Sequence, residues 1–355
     1  MAVVVAPLDD TTDQVEAWDR YVDGQPQATI YHYSPWHRIF GESFGYRSWM
    51  LAARDQPRGD IVGILPLYLV PRPFARRLVS VPFRDRGGVL WDSPEAFRAL
   101  VIEARQIAQA VGASSVWLKS LFPYPQDHAT AIGLTESRYW LRSTVTLDGM
   151  SAEGLWQTVG DKNRNMVRQA QRHGLGWEPL DTTASALAEW HRLHVTSQKR
   201  LGIPPFPRQF FVSMSEQLRR HGRFAMFGAR RKGVLHTAAI LLLHRDMAVY
   251  AYAASDADGQ SSRGNDLLLF EVMRWLIERR ISILDLGSDS PLQESLLFFK
   301  RKWLAQQAPI PHYSFGHDAP TDSSDPRYAL LRKCFSSLPA PVLSVLGSAI
   351  SRYFG

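Results

Sequence analysis

The spacing of apolar residues divides the chain into alternating helices and strands. Thr11 to Tyr21 has helical character, opened by residues able to cap it. Pro35 predicts a helix start, with Trp36, Ile39, Phe40 and Phe44 on one face. Strands are expected over 48–53 and 60–70, the second stopping at Pro71. The segment PFRDRGGVLW (82–91) predicts a loop hinged on Gly87 and Gly88. Residues 94–111 predict an amphipathic helix stopped by Gly112, and 115–120 a short strand. The alternation of RYWLRSTVTL (138–147) predicts a strand that closes the first half. Two helical pieces over 149–173, an extended segment over 175–180 and helices over 184–200 and 208–221 come next.

Three consecutive strands are then predicted over 223–230, 234–244 and 247–254, with turns at Gly233 and at Arg245-Asp246. An amphipathic helix over 265–280, a strand over 281–286 and a helix over 291–303 complete this stretch. The first half repeats the same order in reduced form, without visible sequence repetition. A Pro/Asp/Ser-rich linker is expected over 317–326, followed by two short helical pieces, the last over 341–354. The pattern places the chain in the α/β (α+β) class, with mixed, mostly antiparallel sheets flanked by helices.

The 355 residues exceed what one compact core usually holds and suit two domains. A formal net charge of +7 favours anionic partners: nucleic acid, nucleotide phosphates, anionic lipid or an acidic polymer. The single cysteine, Cys334, excludes an intrachain disulfide and a cysteine-based zinc site, and fits a reducing compartment. Residues 1–7 lack the basic start of a signal peptide. No stretch reaches the ~18 apolar residues of a membrane span, so a cytoplasmic location is expected.

Four clusters could carry chemistry. Gly264 and Asn265, after Ser262-Arg263, sit where a turn enters a helix, and free N–H groups there suit an anion. Taken by itself, a plain helix cap is the simpler explanation of Asn265. Asp285, Gly287 and Ser288 in ILDLGSDS lie at the C-terminal end of a buried strand, where α/β sheets bind ligands. Asp285 needs a partner there, because an unpaired buried carboxylate is costly, and a structural salt bridge to an arginine explains it as well as a role in the reaction. FFKRKW puts Lys300, Arg301 and Lys302 between Phe299 and Trp303, where they could hold phosphates or stabilise an oxyanion, although a solvated basic face with the aromatics turned inward is the simpler reading of this segment alone. Arg164, Arg168 and Arg172 recur every four residues and stack on one helix face, with Lys162 beside them. His191 and His194 bring no HExxH-like partner, so no metal site is expected; no GxSxG elbow or Walker loop is present.

The succession YAYAAS (250–255), a helix opening at Asn265, DLGSDS (285–290) and FFKRKW (298–303) resembles the second lobe of FemAB-type proteins of the GNAT superfamily. DKNRNMVRQAQR resembles their basic helix, YHYSPWHRIFGESFGY their entry helix, and VSVPFRDRGGVLWD their S-x-P-F-x-D-x-G-G loop. The C-terminal segment RYALLRKCFSSLPAPVLSVLGSAISRYFG looks like the tail of the subgroup associated with exosortase (PEP-CTERM) exopolysaccharide loci. Ser288 stands where the family often has Arg, and the coiled-coil arm of some members is missing.

The resemblance implies two GNAT-like lobes, 1–148 and 149–317, with 318–355 packing back on the first. It implies acyl transfer to an amine without a metal, a permanently bound cofactor or a covalent enzyme intermediate. Lys300 would act electrostatically, with Asp285 orienting it or the amine. Arg263, Gly264, Asn265, Tyr252, Gly287 and Ser288 would hold the donor. Arg164, Arg168, Lys162, Arg84 and Asp85 would hold phosphates of donor or acceptor. The donor is acyl-CoA or, alternatively, aminoacyl-tRNA; the acceptor is an amino sugar or a lipid-linked envelope precursor. A non-catalytic scaffold and peripheral contact of 341–354 with the inner face of the membrane are the other readings of the same features.

Overall fold

The computed structural model describes residues 3–9, 11–57, 59–72, 75–316 and 329–355; the linker expected over 317–326 lies outside them. Strand β1 (Val4–Pro7) precedes helices α1 (Thr12–Gly24) and α2 (Pro35–Phe44). Strands β2 (Arg47–Arg54), β3 (Ile61–Arg72), β4 (Ala75–Val79) and β5 (Leu90–Trp91) follow. Then come α3 (Pro94–Ala110), β6 (Ser115–Lys119), α4 (Gln126–Ala131) and β7 (Thr135–Ser137). The next elements are β8 (Leu141–Thr146), α5 (Ala152–Thr158), α6 (Asp161–Arg172), β9 (Gly176–Leu180), α7 (Ala184–Leu201) and α8 (Arg208–Arg219). Strands β10 (Phe224–Arg231), β11 (Val234–His244) and β12 (Met247–Ser255) lead into α9 (Ala257–Ser261), α10 (Gly264–Glu278), β13 (Ile283–Asp289) and α11 (Glu294–Lys302). The described chain ends with β14 (Gln306–Pro309), β15 (His312–Phe315), α12 (Ala329–Ser337) and α13 (Ala340–Ser351). Among the described residues, no helix is long and apolar enough to cross a membrane.

The chain divides into two units. Described residues within Met1–Trp140, Pro309–Thr321 and Ile350–Gly355 form the first, and those within Leu141–Ala308 and Asp322–Ala349 the second. The first unit is built on a sheet of order β1-β2-β3-β4-β6-β15-β7, with β5 paired to β3. Helix α3 connects β5 to β6, which runs parallel to β4. Local chemistry explains this helix well. Ser93 accepts the Ala96 N–H at 3.2 Å, Pro94 occupies the first turn, and Phe97, Leu100, Val101 and Ala104 are buried on one face. Helix α2 buries Trp36, Ile39, Phe40 and Phe44 and stops at Gly45, whose φ of 67° suits a residue without Cβ.

The second unit holds a sheet of order β14-β8-β13-β12-β11-β10-β9. Strands β9 to β12 are antiparallel neighbours, and α10 crosses over to bring β13 parallel to β12. Leu267, Leu268, Met273 and Leu276 of α10 pack with Phe227, Leu241, Leu284 and Trp303 in one continuous core. Both units thus place antiparallel strands, a crossover helix and a parallel strand in the same order.

Two expectations about organisation are corrected. The strand over 138–147 does not close the first unit. As β8 it pairs antiparallel with β13, Ile283 opposite Thr146, so the division falls between Trp140 and Leu141 rather than after 148. Of the tail expected on the first unit, the described residues Ala329–Ala349 belong to the second, and Ile350–Gly355 fall with the first. A Cβ on Gly202, at the end of α7, would lie 2.4 Å from the Arg332 carbonyl, and one on Gly347 would lie 2.3 Å from Pro205. These glycines let α12 and α13 approach the α7–α8 connection closely.

Candidate functional site

Strands β12 and β13 are in register only from Met247–Ile283 to Val249–Asp285, although both continue further. Just after this stretch, β12 slips one residue against β11, between the pairs Ile240–Tyr252 and Leu241–Tyr250. Such a bulge bends a strand and adds local twist. Past it lies a cleft of about 690 Å³, lined by Ala253, Ala254 and Ser255 of β12, Leu286 of β13, Asn265 and Leu269 of α10 and Phe299 and Lys300 of α11. Leu201 and Leu296 add apolar wall, and Ser197 and Arg200 of α7 bring polar groups.

Lys300 is 8% exposed. Its Nζ donates to the Leu286 carbonyl at 2.6 Å and to the Asp289 carboxylate. Asp289 is itself buried, so the two charges compensate where water is scarce. The side chain expected to orient Lys300, Asp285, does something else. It is fully buried, accepts from Arg142 Nε of β8 at 2.6 Å and accepts the Gly287 N–H at 2.7 Å. The register of β13 against β8 shifts between Asp285 and Ser288. That irregularity sends Asp285 and Asp289 to different partners, and Gly287 adopts φ 80° within it.

The turn into α10 has a clear steric cause. A Cβ on Gly264 would meet Thr237 Oγ1 at 2.3 Å and the Gly259 carbonyl at 3.0 Å, so only glycine lets this helix start so close to β11. Arg263, at φ 63°, precedes it and donates to Gln169 Oε1 at 3.4 Å. Asn265 Nδ2 reaches Ser255 Oγ at 3.4 Å across the cleft wall. First-turn N–H groups have no carbonyl partner within the helix and attract anions. Asp266, also in this turn, is buried and bonded to Trp303 Nε1 at 3.2 Å, which places a carboxylate beside the helix start.

Of the sequence-derived candidates, Asn265 and Lys300 line this cleft. Tyr252 lies instead among aromatics, edge-on to Phe206, Phe210 and Phe211. The basic stripe is largely engaged within the fold. Arg164 Nη1 donates to the carbonyls of Trp156, Gln157 and Val159 at 2.8–3.0 Å, and its Nη2 meets Asp161. These carbonyls at the end of α5 lack helical partners, and the guanidinium satisfies them. Arg168 stacks over the Trp156 ring at 5.2 Å. Lys162 is exposed. Arg84 and Asp85 belong to the first unit, where Asp85 makes two 2.7 Å bonds to buried Arg86 and its carbonyl accepts from His312 Nε2. Near them, burial and the neighbouring Arg77 hold the Lys119 ammonium down at about 7.

Sequence reasoning offered an arginine partner for Asp285 without naming Arg142, and missed Asp289 and Arg200. The second aspartate of DLGSDS was visible, but nothing local says which of the two meets Lys300. Tyr250 also lines the cleft, and burial pushes its phenol well above the ordinary range, so it keeps its proton at neutral pH.

No curated protein matches this sequence. Among solved structures, FemX superposes with a TM-score of 0.69 at 15% identity, covering 94% of this chain and all of that one. A tandem GNAT protein from the clavulanic acid biosynthesis pathway gives 0.58 at 13% identity, covering 90% and 100%. The C-terminal domain of a protein assigned as lysylphosphatidylglycerol synthetase, from Agrobacterium fabrum, gives 0.59 at 15%, covering 84% and 91%. At these identities the likeness is one of fold. Residues 161–294 match the family model of an acetyltransferase (GNAT) domain, and the chain has the tandem GNAT fold.

Proposed function

We propose that this protein is an N-acyltransferase whose reaction centre is the cleft between β12 and β13. The observation that carries the reading is that Lys300 and Asn265, at the start of α10, line one cleft. An activated acyl donor would lie along the diverging strands with its carbonyl toward Lys300. The amine nitrogen forms the new bond to the carbonyl carbon, the bond from carbon to the donor's sulfur breaks, and the proton lost by nitrogen ends on that sulfur. Lys300, held by Leu286 and Asp289, offsets the negative charge that develops on the carbonyl oxygen. The Tyr250 phenol, kept protonated by burial, would pass its proton to the departing sulfur and regain the one lost by nitrogen, so the net transfer runs from nitrogen to sulfur.

An acyl-CoA donor is favoured by the match of residues 161–294 to an acetyltransferase (GNAT) domain and by the likeness in fold to the tandem GNAT protein. An aminoacyl donor is the second reading. It is supported by the likeness to the lysylphosphatidylglycerol synthetase domain, whose name denotes a lysyl group joined to a lipid. The acceptor would be an amine on an amino sugar or a lipid-linked precursor, in keeping with the exopolysaccharide-linked subgroup that the C-terminal segment resembles.

Titration calorimetry with acetyl-CoA and longer acyl-CoA thioesters tests the donor, with transfer from aminoacyl-tRNA measured in parallel. Saturable thioester binding, weakened at least tenfold by Asn265→Asp, is expected. Transfer from aminoacyl-tRNA with no thioester binding would decide for the second reading. Binding of neither donor would overturn both and leave the scaffold alternative.

A further inference from the structure

The charges of the cleft lining discriminate between the two kinds of donor. Among the described residues, no Asp or Glu lines the cleft, and its charged side chains are two cations, Arg200 and Lys300. The carboxylates adjoining the lining are engaged elsewhere: Asp289 holds Lys300, and Asp266 accepts from Trp303 Nε1 and faces Lys302 Nζ at 3.5 Å. Arg200 meets the neutral side-chain amide of Gln260, whose oxygen lies 2.8 Å from Nη1. An aminoacyl group carries an ammonium on the carbon next to its carbonyl. With that carbonyl at Lys300, the ammonium would sit beside like charge, with no carboxylate in the lining to offset it. The same cations favour the uncharged form of the attacking amine, so they suit the acceptor while opposing an aminoacyl donor.

Hydrocarbon surrounds Lys300 instead. Leu296, Phe299 and Lys300 are spaced i, i+3 and i+4 on α11, so they share one helix face, and all three line the cleft. Leu269 of α10 and Leu286 of β13 line it too and are buried. Leu292, in the turn before α11, continues the wall outward. Exposure rises from buried Lys300 through half-buried Phe299 to 38% at Leu296 and 58% at Leu292. Leu296 stands one helical turn, ~5.4 Å, from Lys300, beyond the single methyl of an acetyl group and within reach of an alkyl chain. On β12 the lining residues Ala253 and Ala254 end at Cβ, which leaves the space a larger side chain would fill.

We propose that the acyl group accepted by this cleft is an uncharged alkyl chain of medium length, laid along Phe299, Leu296 and Leu292 with its carbonyl at Lys300. The inference rests on the acyl-transfer reading of the cleft and narrows its donor to a fatty acyl thioester. In the step, the acceptor nitrogen bonds to the carbonyl carbon, the carbon–sulfur bond breaks, and the proton lost by nitrogen ends on sulfur; the chain itself is unchanged.

Titration calorimetry of the full chain with acetyl-, butyryl-, hexanoyl- and octanoyl-CoA, and with free CoA, tests it. A methylene buried in full tightens binding roughly fourfold; because the outer wall is partly open, octanoyl-CoA is expected to bind at least tenfold more tightly than acetyl-CoA. Leu296→Asp and Leu292→Asp each reduce that advantage at least fivefold, whereas Leu296→Met keeps it. Both leucines are partly exposed, so thermal melting of the variants should match the parent, which separates a lost chain site from a lost fold. Equal affinity for acetyl- and octanoyl-CoA would overturn the inference and leave the acyl-CoA reading standing, as would an octanoyl advantage untouched by the aspartate variants. Failure to bind any thioester, with transfer from aminoacyl-tRNA, would overturn that reading and this inference together. Equal thioester affinities accompanied by octylamine binding that Leu292→Asp abolishes would also overturn it, by assigning the wall to the acceptor.

Discussion

Replacing Lys300 by Met tests the catalytic reading only if its structural cost is separated from its chemical one. Both side chains of the Lys300–Asp289 pair are about one tenth exposed. Removing one partner of such a buried pair leaves the other uncompensated and costs ~3–5 kcal/mol of stability. The Leu286 carbonyl also loses its donor, a further ~1 kcal/mol. A domain with 5–15 kcal/mol in hand is then measurably weakened, and a loss of activity in Lys300→Met alone would be ambiguous. Asp289→Asn added to Lys300→Met removes the stranded charge, so most of the lost stability should return, read as the midpoint of urea unfolding. Transfer should not return. Loss of a group that stabilises the developing oxyanion lowers kcat by ~10²–10³. Thiol release from an acyl-CoA donor, measured for both single variants and the double variant, gives the comparison. A double variant that regains both stability and near-parental turnover would refute the argument and make Lys300 a structural member of the β13–α11 contact.

Arg142→Met should destabilise the chain by ~3–5 kcal/mol, because Asp285 is fully buried and would lose its guanidinium; adding Asp285→Asn should recover much of the loss in urea unfolding. Gly264→Ala should cost ~1–3 kcal/mol despite the better helix propensity of Ala, because the new methyl meets Thr237 Oγ1. Thr237→Ala in the same chain should relieve part of that cost, and an unchanged unfolding midpoint for Gly264→Ala would contradict the packing account. Stability should fall with acidification below the ordinary histidine value. Burial holds His194 at about 3, and burial together with Lys119 holds His312 at about 4, while both titrate near 6.5 in the unfolded chain. Between pH 6.5 and about 4 the unfolded chain therefore binds protons that the folded one does not, a loss of roughly 1.4 kcal/mol per pH unit for each histidine. The contribution is intact above pH 6.5. His194→Gln should flatten the slope of urea midpoint against pH between 7 and 5.

The elements that local chemistry specifies were readable before any coordinates. A proline at the first turn, a serine cap and apolar residues three and four apart define α2 and α3 without reference to the rest of the chain. Turn residues between β-rich runs did the same for β10, β11 and β12, while an aromatic-flanked lysine and, separately, a helix-opening glycine drew attention to Lys300 and Asn265. Tertiary structure decided what depends on pairing across distance. Alternation in 138–147 announces a strand with one buried face but does not name its neighbour, so the allegiance of β8 to β13 had to come from the sheet. Two aspartates four residues apart look equivalent in ILDLGSDS until a register shift sends one to Arg142 and the other to Lys300. Three arginines on a helix stripe look like an anion site until the unpaired carbonyls ending α5 occupy Arg164. A hydrophobic pattern records how much of an element avoids water, whereas the partner it finds is fixed by the shape and unsatisfied polar groups of segments far away in sequence.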